Sequence, residues 1–370
     1  MEEQNDAMEG YLPPEKVQAL RDELSKLKKQ IRDAYREENL ANELRETAFD
    51  LSNTVLDPPY WLSEVDLDSS VHGIPTLFIS DWHWGELVSG SEVSFRNEFN
   101  VEVARERSKL CFQRFIEVYT EHIQGAEYTG CVLAIGGDMV SGNIHDELSQ
   151  TNEMEIMPTV IDVAENIISG INVILRTFGK VACFCVVGNH GRTSAKPRFK
   201  RKAVTSYDWL IYTICEKHFR DNVNVRFQIP ESSDCLYNVY RTKYLLTHGD
   251  QLGRGGDGII GMLGPVTRGD HRRRARQMGM NEAYDIMICG HWHQLAMLRS
   301  RIVNGSLKGY DEFAYGLGFP PEPPMQASWL THPVLGLTVQ VPIFCDIEKE
   351  SPLTKEGNWV GWPMFENEQE

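Results

Sequence analysis

The sequence lacks the features that mark a secreted or a membrane-spanning protein. Its eight cysteines are scattered, with no CxxC pair and no regular framework, so neither disulfides nor a thiolate metal site is expected. No apolar run approaches the roughly 20 residues of a membrane-spanning helix. The acidic start, MEEQNDAMEG, has no signal-peptide pattern. We therefore expect a cytoplasmic protein with no membrane partner.

Positive charge is also scarce. The chain has 37 Lys and Arg against 53 Asp and Glu, a formal net charge of -16 at pH 7, which argues against a general nucleic-acid coat protein. Acidic residues are concentrated near the start and after Phe344, whereas residues 192–202 and 268–276 are strongly basic. Either these two segments form a local phosphate-binding face, or they are a solvated surface or pair with the acidic N-terminal region.

The first part of the chain predicts a helical arm. Residues 1–12 are expected to be disordered, and the two prolines that follow suit the first turn of a helix. Apolar residues then recur at spacings of three and four, as in a short coiled coil: Val17, Leu20, Leu24, Leu27 and Ile31. We predict that the arm, residues 13–57, either joins two copies of the chain or folds onto the main domain. That domain is predicted over 58–345, followed by an acidic tail over 346–370.

The main domain alternates apolar runs with helical patterns. Strands are predicted over 76–79, 131–135, 181–187, 244–246, 285–289, 327–330 and 336–342. Two long helices are predicted over 95–124 and 153–178. Strands that are apolar almost throughout indicate a sheet covered on both faces. Such sheets place their functional side chains at strand ends.

Five of the apolar runs end in a polar cluster that contains potential metal ligands. The clusters read SDWHWGE, GGDMVSGN, VVGNHGR, LLTHGD and CGHWHQ. The predicted ligands are Asp81, His83, Asp138, Asn189, His248, His291 and His293. Asp81 and His83 point the same way, because alternate residues leaving a strand share a face. Seven ligands with one shared aspartate suit two metal ions held roughly 3.5–4 Å apart.

In this order the motifs D-x-H, G-D, G-N-H, H-G and G-H-x-H resemble the calcineurin-like metallophosphoesterase superfamily, over about residues 75–305. The resemblance implies an α/β fold of four layers, in which two packed mixed β-sheets are flanked by helices. It implies that Asp81, His83 and His293 hold one metal ion. It further implies that Asn189, His248 and His291 hold a second, and that Asp138 bridges both. Oxygen and imidazole ligands favour Mn²⁺, with Fe or Zn²⁺ as alternatives.

Two positions differ from the phosphoprotein-phosphatase branch of this superfamily. That branch reads GDxVDRG and GNHE, which places an acidic group near the catalytic histidine, whereas this chain has Ser141 and Gly191. The difference disfavours a Ser/Thr protein phosphatase and leaves Glu147 or Asp250 as candidates to orient His190. The clusters GNIHDEL and GNHGRTSAKPRFKRK are more similar to phage and bacterial metallophosphoesterases that are loosely likened to DNA-repair exonucleases.

The expected chemistry is hydrolysis of a phosphate ester by metal-activated water, which requires no protein nucleophile. His190 directly follows a ligand, so it would protonate the leaving oxygen or stabilise developing charge. His145 and Arg192 are expected near the metals as phosphate-binding groups. The alternative for His145 is a helix-start residue with a local hydrogen bond.

Three functions stay open at this point. The basic segments favour a phosphodiesterase that acts on nucleic acid, that is, a nuclease. A phosphomonoesterase or small-nucleotide phosphodiesterase is the second hypothesis, and a non-catalytic scaffold is the third. Several aromatic residues in or near the motifs are candidates to stack on bases: Trp82, Trp84, Tyr207, Trp209 and Trp292. The proline-rich stretch over 310–330 is expected to form a surface loop beside the site.

Overall fold

A computed structural model describes residues 60–63, 73–144, 146–253 and 261–346. These residues all belong to the unit Pro58–Glu370. The predicted disordered start, the helical arm, most of the acidic tail and His145 lie outside the described residues. Their predicted roles therefore remain predictions.

The described strands form two sheets. The strands are β1 (Ile74–Ile79), β2 (Cys131–Ile135), β3 (Val181–Cys185), β4 (Val225–Gln228), β5 (Asp234–Val239), β6 (Thr242–Thr247), β7 (Ile286–Cys289), β8 (Ala296–Leu298), β9 (Arg301–Val303), β10 (Met325–His332) and β11 (Gly336–Phe344). One sheet has the order β11-β10-β1-β2-β3-β4 and the other has the order β5-β6-β7-β9-β8. All seven predicted strands are present, whereas β4, β5, β8 and β9 were not predicted.

Each sheet is mixed. In the first, β1 to β4 run parallel, and β10 joins β1 antiparallel with Leu77 opposite Ser328. In the second, β6, β7 and β9 run parallel, while β5 and β8 pair antiparallel at its two edges. The carboxyl ends of β1, β2 and β3 therefore meet at one edge of the first sheet. Those of β6 and β7 do the same in the second.

The two sheets share an apolar core that includes a run of stacked rings. Phe184 of the first sheet stacks on Tyr237 of the second, with centroids 4.0 Å apart and planes within 7°. Tyr237 stacks in turn on Tyr244, and Tyr244 on Trp329 of the first sheet. All four rings are buried. Because large rings bury the most apolar area, this run is a main source of cohesion between the sheets.

The structure describes seven α-helices, several of which pack on the two sheets. They are α1 (Tyr60–Ser63), α2 (Val101–Glu117), α3 (Asp146–Thr151), α4 (Ile156–Phe178), α5 (Tyr207–Phe219), α6 (Leu263–Gly279) and α7 (Glu312–Gly316). Helix α4 contacts both α2 and α5, and all three helices contact the first sheet. Helix α6 packs on the second sheet through Val266, which joins a cluster with Leu245 and Met287. The predicted α/β fold of two mixed sheets flanked by helices is confirmed.

Both long helices begin later than predicted, and the second is more apolar than expected. Helix α2 begins at Val101 rather than near Phe95, because the Asn100 side chain caps it by accepting from the Val103 N–H. It continues as a π-helical turn over Val118–His122.

Helix α4 is long and apolar enough to cross a membrane by length and composition, contrary to the expectation that the chain has no segment of this kind. It packs against α2, α5 and β3, as a core helix does.

The close approach of α2 and α4 gives a first prediction. A Cβ added at Gly170 in α4 would collide with the Phe112 ring of α2. We expect Gly170→Ala to lower the free energy of unfolding by about 1–3 kcal/mol through overpacking. Gly279→Ala is the matched control, because nothing lies near a Cβ there and alanine favours a helix. Urea denaturation of both variants measures the difference, and equal stabilities would contradict the prediction.

Candidate metal centre

The predicted ligands all lie in loops that leave the carboxyl ends of parallel strands. Asp81 and His83 follow β1, Asp138 follows β2, and Asn189 follows β3. From the second sheet, His248 follows β6, and His291 and His293 follow β7. Since both sheets present these ends at the same side of the shared core, short loops suffice to bring the side chains together.

The loops hold several of these residues in a left-handed backbone conformation. The φ angles of Asp81, His83, Asp138, His291 and His293 lie between 49° and 73°. Non-glycine residues rarely adopt such angles, and each costs about 1–3 kcal/mol. Backbone hydrogen bonds hold the turns: the Asp81 N–H donates to the Gly137 carbonyl at 3.0 Å, and the His83 N–H to the Asp138 carbonyl at 3.1 Å.

Two glycines give the carboxylates room. A Cβ at Gly188 would collide with the Asp138 carboxylate, and a Cβ at Gly290 would collide with that of Asp81. The loop after β3 and the loop after β7 therefore run directly against the carboxylates of other loops. Only glycine permits this approach.

The side chains meet in three overlapping clusters. Their ligand atoms lie within 4.8 Å of one another in each cluster, and the clusters are Asp81, His83 and His293; His83, Asp138 and His190; and Asp138, His248 and His291. The His248 Nε2 also lies 3.0 Å from the Asn189 Oδ1. The structure thus brings all seven predicted ligands together, with Asp138 shared between two clusters.

The donor set fits divalent metal ions. It offers carboxylate and amide oxygens with imidazole nitrogens, which suit Mn²⁺, Fe or Zn²⁺. Two imidazole nitrogens, the Nε2 atoms of His83 and His293, face each other at 3.0 Å, and Asp81 lies against them with its Oδ1 3.6 Å from the His293 nitrogen. These histidine and aspartate groups can hold metal ions between them.

Burial and neighbouring charges together set the pKa values of these groups. Burial lowers the pKa of His83 to about 4, with help from the Lys308 ammonium and the neighbouring His190, so this imidazole is neutral and able to bind a metal at pH 7. It raises the pKa of Asp81 to about 7. Burial also opposes a charge on His248, but the Asp138 carboxylate 2.9 Å away outweighs it and raises the pKa of His248 to about 10. A metal ion would compete with that proton.

Main-chain carbonyls orient two of the imidazoles. The Nδ1 of His248 lies 2.8 Å from the Gly136 carbonyl oxygen, and the Nδ1 of His190 lies 2.9 Å from the Ser141 carbonyl oxygen. Each ring then donates from Nδ1 and presents Nε2 to the centre. The Ser141 carbonyl therefore orients His190, a role for which the sequence had left Glu147 and Asp250 as candidates. Glu147 is exposed on α3, and Asp250 is paired with a lysine.

A buried charge network behind His83 was missed by sequence reasoning. The Glu86 Oε2 lies 3.3 Å from the His83 Nδ1, although the two are not aligned as a hydrogen bond. The Lys308 ammonium lies 2.7 Å from the Glu86 carboxylate and 2.6 Å from the Asp311 carboxylate, so it pairs with both. The Ser141 hydroxyl also donates to Glu86. Glu86 stands three residues after His83 in the SDWHWGE motif, which was a usable signal. Nothing in the sequence links that motif to Lys308.

Asp208 is a second residue that sequence reasoning missed. It is fully buried at the start of α5 and accepts hydrogen bonds from the backbone N–H groups of Asp138, Met139 and Gly188, at 3.1, 3.1 and 2.8 Å. It therefore fixes two ligand-bearing loops at once. In the sequence, SYDW looks like an ordinary helix start, and Ser206 does cap α5 by accepting from the Asp208 N–H.

Arg192 and three of the aromatic candidates for substrate contact are held within the domain. Three N–H groups of Arg192 donate to the carbonyls of Asn189, Ser194 and Ala195, which closes the loop beside the ligand Asn189. Of the aromatic candidates, Trp82 and Trp84 are fully buried and Trp209 nearly so, so these three cannot stack on bases.

The two basic segments also differ. In 268–276, arginines turn towards the domain: Arg273 and Arg276 reach Asp234, Arg274 reaches Asp270, and Arg272 donates to the Leu252 carbonyl. In 192–202, by contrast, residues 195–201 are exposed.

The position of Asp208 gives a second prediction. In Asp208→Asn one of the side-chain acceptors becomes an amide donor that faces backbone N–H groups. We expect about 1–3 kcal/mol of lost stability and weaker Mn²⁺ binding, because both ligand loops loosen. Urea denaturation and calorimetric titration with Mn²⁺ measure the two effects. Asp221→Asn, whose side chain is 91% exposed, should change neither, and an unchanged Asp208 variant would refute this role.

Lys308 gives a third prediction. Lys308→Met leaves the buried Glu86 and Asp311 carboxylates without their shared cation, so we expect a loss of about 3–5 kcal/mol in the free energy of unfolding. Lys109→Met on α2, where the side chain is exposed, should change stability by less than about 0.5 kcal/mol. Denaturant unfolding of the two variants is the test. A Lys308 variant as stable as the Lys109 variant would show that the network is not needed.

Comparisons with known proteins give limited guidance. No family model matches the chain, and no curated protein matches it. Among solved structures, a single mutant of Vps29 from Entamoeba histolytica matches with 13% identity and a TM-score of 0.29, over 73% of this chain and 99% of that one. A conserved uncharacterized protein of Streptococcus pneumoniae, a predicted phosphoesterase, matches with 10% identity and a TM-score of 0.26, over 73% and 97%. At these values the case for function rests on the site itself.

Proposed function

We propose that the protein is a binuclear metal-dependent phosphoesterase that hydrolyses phosphodiesters, and that its substrate is nucleic acid. The observation that carries the proposal is the set of three overlapping clusters, two of which share Asp138, which together with Asn189 bring seven carboxylate, amide and imidazole side chains to one edge of the core. Two-metal hydrolases need this kind of ligand set. We propose Mn²⁺ as the metal, with Fe or Zn²⁺ as alternatives.

The chain's own groups have distinct proposed roles. Bound divalent cations would activate a water and withdraw charge from the phosphate oxygens. His190 is half-buried, and its ring stands edge-on to that of His83, with centroids 4.6 Å apart. With Nδ1–H held at the Ser141 carbonyl, the imidazolium form of His190 would carry its second proton on Nε2, give that proton to the leaving oxygen and become neutral. The backbone N–H of His190 donates to the Asp138 carboxylate at 2.6 Å. This hydrogen bond fixes the proposed general acid, His190, beside the proposed shared ligand.

The choice between nucleic acid and a small substrate depends on the basic segments. In segment 268–276 the arginines form ion pairs within the domain, so one of the two segments expected to contact a nucleic-acid strand is already engaged. This favours the second candidate, a phosphomonoesterase or small-nucleotide phosphodiesterase. The exposed segment 195–201 supports the nuclease. A non-catalytic scaffold is disfavoured, since none of the seven ligand positions holds a residue unable to bind a metal.

Two substitutions separate metal binding from turnover, as a fourth prediction. Asp138→Asn should abolish hydrolysis and reduce metal content, because it alters the shared ligand. His190→Ala should retain both metal ions while kcat falls by about 10²–10⁴-fold. His122→Ala, an exposed imidazole away from the clusters, should change neither property. Elemental analysis with steady-state kinetics is the measurement, and loss of metal from the His190 variant would make His190 a ligand and overturn its assigned role.

The substrate class is tested with a bis-aryl phosphate diester and its monoester in added Mn²⁺, followed by a labelled oligonucleotide. Cleavage of the diester and the oligonucleotide, both reduced in His190→Ala, supports the nuclease. Cleavage of the monoester alone supports the phosphomonoesterase and rejects the nuclease.

A further inference from the structure

A cavity opens beside the metal centre, on the side of Asn189. Its volume is about 500 Å³, within the range of small-ligand sites. It is bounded by the loop after β3 and by the turn that follows β6, and its lining includes Asn189, Arg192, Arg198, Phe199, Lys202 and Asp250. Because Asn189 belongs to both the lining and the ligand set, a molecule bound at the metals would extend directly into this cavity.

The charge of the cavity suits a polyanion. Among the lining residues, Arg192, Arg198 and Lys202 are cationic and Asp250 is anionic. Lys202 forms an ion pair with Asp250 at 2.8 Å and neutralises it. Arg192 is tied to backbone carbonyls, which leaves Arg198 as the exposed cation of the lining. Lys196, Lys200 and Arg201 stand next to it in sequence, also exposed. A chain of phosphates would meet complementary charge along this loop.

Phe199 gives the cavity an aromatic surface. Its side chain is 92% exposed and stands between Arg198 and Lys200. An isolated exposed ring needs no explanation by itself. Here, however, the ring lines a cationic cavity that adjoins the metal centre, and a base can stack on such a ring whatever its identity.

Resting on the proposed function, we infer that this cavity binds the nucleotide next to the scissile phosphate of a single-stranded nucleic acid, with Phe199 as the stacking platform and Arg198 as a phosphate contact. A base in a duplex is already stacked on its neighbours, so a single strand is the form that can use the ring. The cavity would thereby select extended strands over small phosphate esters.

The inference is tested by measuring the affinity of the full chain for a labelled single-stranded oligonucleotide. Fluorescence anisotropy gives the affinity, and EDTA in the buffer prevents hydrolysis during the measurement. Phe199→Ala should weaken binding about tenfold. Arg198→Ala should reduce the slope of log affinity against log salt by about 0.7. Phe313→Ala, an exposed ring outside the cavity, and Arg220→Ala, an exposed cation outside it, should leave both quantities unchanged.

Several outcomes would overturn the inference. They are absence of binding by the wild type, equal binding by all variants, tighter binding of a duplex than of a single strand, or complete displacement of the strand by inorganic phosphate at low concentration. DNA and RNA of one sequence are compared to identify the sugar. Hydrolysis of the bis-aryl diester by the wild type is measured in parallel. If that activity is present while the variants bind like the wild type, the cavity assignment fails and the phosphoesterase stands.

Discussion

The site depends on holding carboxylates and imidazoles together in a place from which water is excluded. Asp81, His83, Asp138 and His248 are all at most 1% exposed. A buried carboxylate is unfavourable unless it is paired or hydrogen-bonded, and here each has partners. Ser80 and the His291 N–H donate to Asp81, while the His190 N–H and the His248 imidazole contact Asp138. The surrounding loops are shaped to supply these donors.

Support for the site comes from a wider shell of buried charge. Asp208 ties the backbone after β2 to the backbone after β3, and the network of Glu86, Lys308 and Asp311 lies behind His83. Asp208, Lys308 and Asp311 are distant in sequence from the residues they support, whereas Glu86 stands three residues after His83. Such partners fix the tautomer and orientation of ligands. The geometry of the centre is therefore a property of the whole edge of the domain and not of the ligand motifs alone.

The two-sheet architecture is confirmed and the predicted ligand residues do lie together in the structure, because both leave local signals in the sequence. An apolar run such as Cys131–Ile135, followed by glycines and Asp138, is legible without a structure. The strands β8 and β9 span only three residues each, and β5 alternates between buried and half-buried positions, so none of them forms an apolar run. Asp208 and Lys308 were missed for a different reason. Their roles come from tertiary contacts, and their sequence neighbourhoods look like a helix start and a loop.

The left-handed conformation of the ligand loops has a consequence for how such a protein changes over time. At His83, His291 and His293 the chain adopts a strained backbone in order to aim a side chain. Glycine, or to a lesser degree asparagine, would relax that strain. Substituting one of these histidines would therefore relieve the strain while it removes a proposed metal ligand. A lineage no longer selected for the proposed hydrolysis would lose these histidines early and keep its fold, which would then be available for other uses.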